Sequence, residues 1–259
     1  RSIRGRMRRR QLQPAAKSAA AAEQPALEEV SVLSKRRLKF SKLNMAKYIS
    51  HLDLLRCFTR SIMRAELPVK YSNGFNPHQK ITFSLPLSIG VTSDSEFVDI
   101  DFEDGIKDSE IMERLNNNLP PDMRILNVGD IKDSANDIVS AKYQVKIISD
   151  KVITDEKVKG FFDMPEYTIM KKTKKKGEQP VNLMDFIIDY SISEHSESSD
   201  GSILQMELIL SAGGQKNLKP EIAVKALSDY LATEINIISY DIHRTEIYIS
   251  EKEGLKVFE

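Results

Sequence analysis

Between residues 37 and 128 the apolar side chains switch between a period of two and a period of three to four in a fixed order. That order restricts the fold more than any other feature of the chain. An alternating stretch at 37–41 precedes Ser50-His51-Leu52-Asp53, a Ser-x-x-Asp start whose hydroxyl and carboxylate can cap orphan helix amides. Leu54, Leu55, Phe58, Ile62 and Ala65 follow at helical spacing and form one apolar face, and the helix closes before Pro68. Ile81, Phe83, Leu85 and Leu87 then alternate with Lys80, Thr82, Ser84 and Pro86, and Val98, Ile100 and Phe102 alternate with Asp99, Asp101 and Glu103. Each run is expected to be a strand with one buried face and one wet face. A helix over about 109–119 with Ile111, Met112, Leu115 and Leu119, and a strand near 124–128, complete the order β-α-β-β-α-β of ferredoxin-like domains.

The second half repeats this order more faintly. Tyr143, Val145 and Ile147 mark a strand and residues 155–162 a short helix, while 186–192 and 204–210 read as a hairpin joined by the polar run 193–202. Pro220 opens a helix bearing Ala223, Ala226, Leu227, Tyr230 and Leu231, and 240–249 reads as the last strand. The expected fold is α+β: two tandem ferredoxin-like halves with antiparallel sheets, 35–135 and 136–259, the second with an irregular basic insertion near 163–182. Residues 1–34, Arg-rich and then Ala-rich with Pro14 and Pro25, read as a flexible tail.

Composition excludes several functions. Cys57 is the single cysteine, so an internal disulfide or a cysteine-ligated iron–sulfur cluster is out of reach, and with four scattered histidines a structural zinc site is not expected. No run approaches the roughly 20 apolar residues that span a bilayer. The chain is therefore expected to be soluble and cytoplasmic, with no cofactor and no metal. Its zero formal charge hides six arginines and no acid in the first ten residues, which leaves the remainder net acidic.

Two constellations stand out. Arg56, Arg60 and Arg64 recur every four residues on the helix side opposite the apolar face, a row suited to phosphates, or simply to solvent. The next segment, Val69-Lys70-Tyr71-Ser72-Asn73-Gly74-Phe75-Asn76-Pro77-His78-Gln79-Lys80, sets Tyr71, Phe75 and His78 among turn residues and beside Lys70 and Lys80. Exposed aromatic rings among cations suit stacking on unpaired bases; the alternative is that Tyr71 and Phe75 fold back as lids on the core. His51 and His78 could also serve as acid and base in a metal-independent RNA cleavage, although Asp53 already gives the helix start a capping role. The run Lys171-Lys172-Thr173-Lys174-Lys175-Lys176 reads as solvated surface or as a salt-sensitive RNA contact. Ser211-Ala212-Gly213-Gly214 is too short a glycine turn to identify a phosphate site.

Two segments, Tyr48-Ile49-Ser50-His51-Leu52-Asp53-Leu54-Leu55-Arg56 and Tyr71-Ser72-Asn73-Gly74-Phe75-Asn76-Pro77-His78-Gln79-Lys80-Ile81, resemble the bacterial radical SAM-linked protein family. That family is a domain of unknown function found alone or fused behind B12-binding radical SAM enzymes. The resemblance covers about residues 36–255 and rests on His51, Asp53, Asn73, Gly74, Phe75, Asn76, Pro77 and His78. It implies an accessory role beside a radical SAM partner and, through the family's frequent placement beside ribosomal protein and ribonuclease G genes, a link to RNA or the ribosome. Three functions follow as expectations: an RNA-binding adaptor using Arg56, Arg60, Arg64, Lys70, Tyr71, Phe75, His78 and Lys80; an RNA endonuclease using His51 and His78; and a protein adaptor docking through the 71–81 loop.

Overall fold

The computed structural model describes residues 35–173, 177–198, 201–252 and 254–259. The tail expected over 1–34 and the lysines at 174–176 lie outside them.

The protein is a mixed α+β structure with a mostly antiparallel sheet. β1 (Lys35–Lys42) leads through a 3-10 turn at Asn44–Tyr48 into α1 (His51–Arg64), then β2 (Ile81–Phe83), β3 (Thr92–Asp101), α2 (Asp108–Asn116) and β4 (Met123–Gly129). The second half runs β5 (Ile138–Ser149), α3 (Asp155–Phe162), β6 (Thr168–Thr173), β7 (Gly177–Asn182), β8 (Ile187–Ser198), β9 (Gly201–Ser211), α4 (Pro220–Leu231), β10 (Ile237–Glu251) and β11 (Gly254–Val257). Among the described residues nine strands share one sheet. The first half is ordered β4-β1-β3-β2 and the second β10-β5-β9-β8, with antiparallel neighbours throughout, and β11 pairs with β10. A parallel pairing of β3 with β10, Thr92 opposite His243 and Ser93 opposite Arg244, joins the halves.

α1 shows how the sequence sets this up. Ser50 caps it, and Leu54, Phe58 and Ile62 bury the predicted face against Leu38, Phe40, Val98 and Ile100. Each such side chain is worth about 1.5–3 kcal/mol of burial, more than the helical propensity of a 14-residue segment supplies by itself. A second cluster unites Tyr143, Val145, Phe161, Leu208, Leu227 and Ile242 with Val91 and Phe97 of the first half.

Four expectations change. β2 stops at Phe83, and Leu85 and Leu87 leave the sheet to pack against the second cluster. β3 does not have one wet face: Phe97 and Asp99 are buried along with Val98 and Ile100, because the Phe258 ring packs edge-on to Phe97 and Arg37 pairs with Asp99. There the Arg37 guanidinium grips Asp99 with two bonds of 2.8 and 2.9 Å and lies 4.2 Å over the Phe258 ring. The polar run at 193–198 is strand, held by the β8–β9 ladder despite its composition. The insertion near 163–182 carries a regular hairpin, β6 against β7, where no regular structure was expected.

Candidate nucleic-acid interface

At the start of α1 the Asp53 amide donates to Ser50 Oγ at 3.2 Å, and that hydroxyl donates to Asp53 Oδ2 at 2.7 Å. The Ser50 hydroxyl, then Arg56, hold the Asp53 carboxyl below the usual carboxylate range. The arginine row is exposed as expected but unequal in its commitments. Arg56 pairs with Asp53 at 2.9 Å. Arg64 donates to the Asn118 carbonyl at 2.6 Å and to Ser61 Oγ at 3.0 Å, tying α1 to the segment after α2. Arg60 has no hydrogen-bond or ion-pair partner among the described residues. Together with Cys57 and Pro120 the three arginines line a shallow groove of about 440 Å³, to which the second half contributes no wall. Burial raises the Cys57 thiol, so it offers no ready nucleophile there.

The following loop is pinned at its base and open at its tip. Lys70 N donates to Asp101 O at 2.8 Å, Lys80 N to Lys70 O at 3.0 Å and Ser72 N to His78 O at 2.8 Å. Ser72 Oγ lies 2.8 Å from His78 Nδ1 and accepts from the His78 amide at 3.1 Å. Gly74 takes φ +129°, a region a side chain rarely enters, and turns the chain at the tip. Beyond it Phe75 is fully exposed at 105%, and Tyr71 is half exposed at 49%. Folding back as a core lid is therefore ruled out for Phe75. The buried Gln79 ties loop to helix: its Nε2 lies 3.5 Å from both the Thr59 carbonyl and the Tyr71 hydroxyl, the long limit of a hydrogen bond. The base of the aromatic loop thus sits against α1 one residue from Arg60. Lys80 stands 3.8 Å from Asp101, a partly screened pair, and Lys70 is half-buried at the loop's foot.

The two histidines line different depressions. His78 lies beside Lys35, Lys80, Thr82 and Asp101. His51 packs edge-on to Phe83 with ring centroids 5.4 Å apart and borders a cleft between the halves. Among the described residues no group of three or more His, Cys, Asp or Glu side chains is placed to hold a metal, and no helix is long and apolar enough to cross a membrane.

That cleft is what sequence reasoning missed. At its floor Arg244, 1% exposed, donates to Glu96 Oε1 at 2.6 and 3.2 Å and to the Leu85 carbonyl at 2.9 Å. The hydroxyl of buried Tyr143 is a further partner of Arg244, and burial pushes that phenol's pKa up. Lys42 lies in the field of the same Glu96, and burial lowers its ammonium's pKa. Nothing local in the sequence signals this cluster, because its members come from β1, β3, β5 and β10.

Residues 35–220 match the model of a family described as an uncharacterized protein conserved in bacteria, DUF2344, and the chain belongs to it. No curated protein matches the chain. A solved structure titled as a crystal structure of a Cbf5-Nop10-Gar1 complex has a similar chain, with a TM-score of 0.45 at 9% identity. The similarity covers 85% of this chain and 51% of that one, so this chain spans about half its length.

Proposed function

We propose that this DUF2344 member is an accessory module that binds single-stranded RNA on the face formed by α1 and the loop after it, and that it serves a radical SAM enzyme as partner. The observation that carries the reading is Phe75: a fully exposed ring at the tip of a loop whose base is held by backbone bonds. Exposing such a ring to water is unfavourable by itself, and ring faces presented beside cations are the means by which unpaired bases are stacked without sequence preference. Tyr71 supplies a second ring, Arg60 an uncommitted guanidinium, Lys70 and Lys80 the surrounding positive groups and His78 a neighbouring imidazole, with Arg56 and Arg64 partly engaged by the protein itself. The scaffold is read as two ferredoxin-like halves, 35–135 and 136–259; the strand orders β4-β1-β3-β2 and β10-β5-β9-β8 support this.

An endonuclease reading would need His51 and His78 to share a substrate, and nothing in their separate depressions favours it. The deciding experiment is fluorescence anisotropy of the full chain with a labelled single-stranded RNA of about 12 nucleotides across a salt series. Arg60→Glu is expected to weaken binding about tenfold and to reduce the salt slope by about 0.7. Unchanged affinity and slope would refute the interface. A nucleic-acid-free complex with the radical SAM partner would point to protein docking through the same loop.

A further inference from the structure

The cleft between the halves, about 620 Å³, has the makings of a second site, independent of the loop. Its volume suits a small organic ligand, for which pockets of roughly 300–1,000 Å³ are usual. The first half supplies one apolar wall, Leu85, Pro86, Leu87 and Ile89, and the second half adds Leu218 and Pro220. The first-half wall lies outside the sheet: β2 has already ended, and Ile89 remains 59% exposed at the opening. Between the walls the floor is polar. It holds Arg244 fixed by Glu96, the Tyr143 ring, and Ser84, whose Oγ is buried without a hydrogen-bond partner. A buried hydroxyl lacking a partner costs about 1–3 kcal/mol, so this atom marks a place where an incoming polar edge would gain. At the rim stand two exposed basic side chains, one from each half, His51 and Lys219; neither has a hydrogen-bond partner among the described residues.

Apolar side chains from both halves, a floor of donors and acceptors, and the Lys219 ammonium with the His51 ring at the rim suit one molecule class. A flat heterocycle suits apolar walls of this kind, its polar edge meets the floor, and a phosphate remains outside with the Lys219 ammonium and the His51 ring. We propose that this cleft binds a nucleotide, with the base inward against Ser84, Tyr143 and Arg244 and the phosphate at the rim beside His51 and Lys219. The same chemistry is offered by a free mononucleotide and by one residue of an RNA strand.

The test uses the full chain and backbone-amide NMR, titrated separately with AMP, CMP, GMP and UMP, the matching nucleosides, inorganic phosphate, and a single-stranded RNA of about 12 nucleotides. At least one mononucleotide, or failing that the RNA, is expected to shift resonances of the Leu85–Ile89 wall and the Lys219 region. Lys219→Glu should weaken that binding about tenfold while leaving nucleoside binding unchanged, the size of one lost phosphate contact. Ser84→Ala should weaken nucleotide and nucleoside alike without lowering stability, which separates a lost ligand contact from a damaged fold. Response to a free nucleotide assigns a soluble ligand, and response to the RNA alone assigns a strand residue. Phe75→Ala should leave mononucleotide binding untouched, so failure of the loop interface does not decide this site. The proposal is overturned if no probe shifts cleft resonances at about 5 mM, or if binding ignores both Lys219→Glu and Ser84→Ala.

Discussion

The loop at 69–80 and the cleft floor around Arg244 place cations in opposite environments. In the loop, Lys80 and the neighbouring Arg60 sit in water, where a charge costs little and interacts weakly, so their arrangement follows from local turn chemistry and helix spacing. On the cleft floor Arg244 is removed from water, and it is tolerable only because Glu96, Leu85 O and Tyr143 surround it. A charge of the first kind can be changed with little effect on the fold; a charge of the second kind cannot. This contrast also separates what the loop does, contact something outside, from what the floor does first, hold two halves together.

The largest expected effect tests the floor. Glu96→Ala leaves Arg244 buried without its carboxylate and should cost about 3–5 kcal/mol in urea unfolding. A loss below about 1 kcal/mol would show that water reaches the pair and that the contrast is overstated. Next come two glycines with similar backbone angles. At Gly213, φ +116°, an added Cβ would sit 2.1 Å from the Ile138 carbonyl, whereas at Gly74, φ +129°, it would meet nothing within 4 Å. Gly213→Ala should therefore exceed about 3 kcal/mol, and Gly74→Ala should stay near about 1 kcal/mol from backbone strain alone. Equal losses would mean that the turn beside the cleft gives way more easily than its contacts suggest.

Ser50→Ala is a smaller perturbation, at about 1 kcal/mol for a lost helix cap. It also moves the Asp53 carboxyl up toward its ordinary value, readable by NMR titration. The sign follows from the depressed native value: Asp53 stabilises the fold above its ordinary pKa, and that contribution is lost as pH falls through the depressed one. The variant should thus lose most of this acid-side dependence. Smallest of all, Phe75→Ala should change stability by no more than about 0.5 kcal/mol, since the ring buries nothing.

Legibility in the sequence followed the same division. The Ser50 cap, the core face of α1, the Asn73-Gly74 turn and the bounds of α3 rest on residues within a few positions of one another, and a reader of the sequence finds them. The strand expected through Leu87 failed because Leu85 and Leu87 satisfy their apolar surface on the other half of the chain, which alternation cannot reveal. The strand at 193–198 was hidden because its register is imposed by β9. The wet face assigned to β3 disappeared because Phe258, far along the chain, and Arg37 of β1 cover Phe97 and Asp99. For the same reason the rim and floor of the cleft, with His51, Ser84, Tyr143, Gly213 and Arg244 brought together from five separate segments, left no local signal beyond a short glycine turn.

The most direct test of the RNA-binding face is ultraviolet cross-linking of the full chain to a single-stranded RNA, with the adducts located by mass spectrometry. Stacked rings cross-link efficiently, so peptides containing Tyr71 and Phe75 should carry the adducts, and these should vanish in Phe75→Ala, Tyr71→Ala. Adducts confined to other surfaces, or none at saturating RNA, would contradict the account.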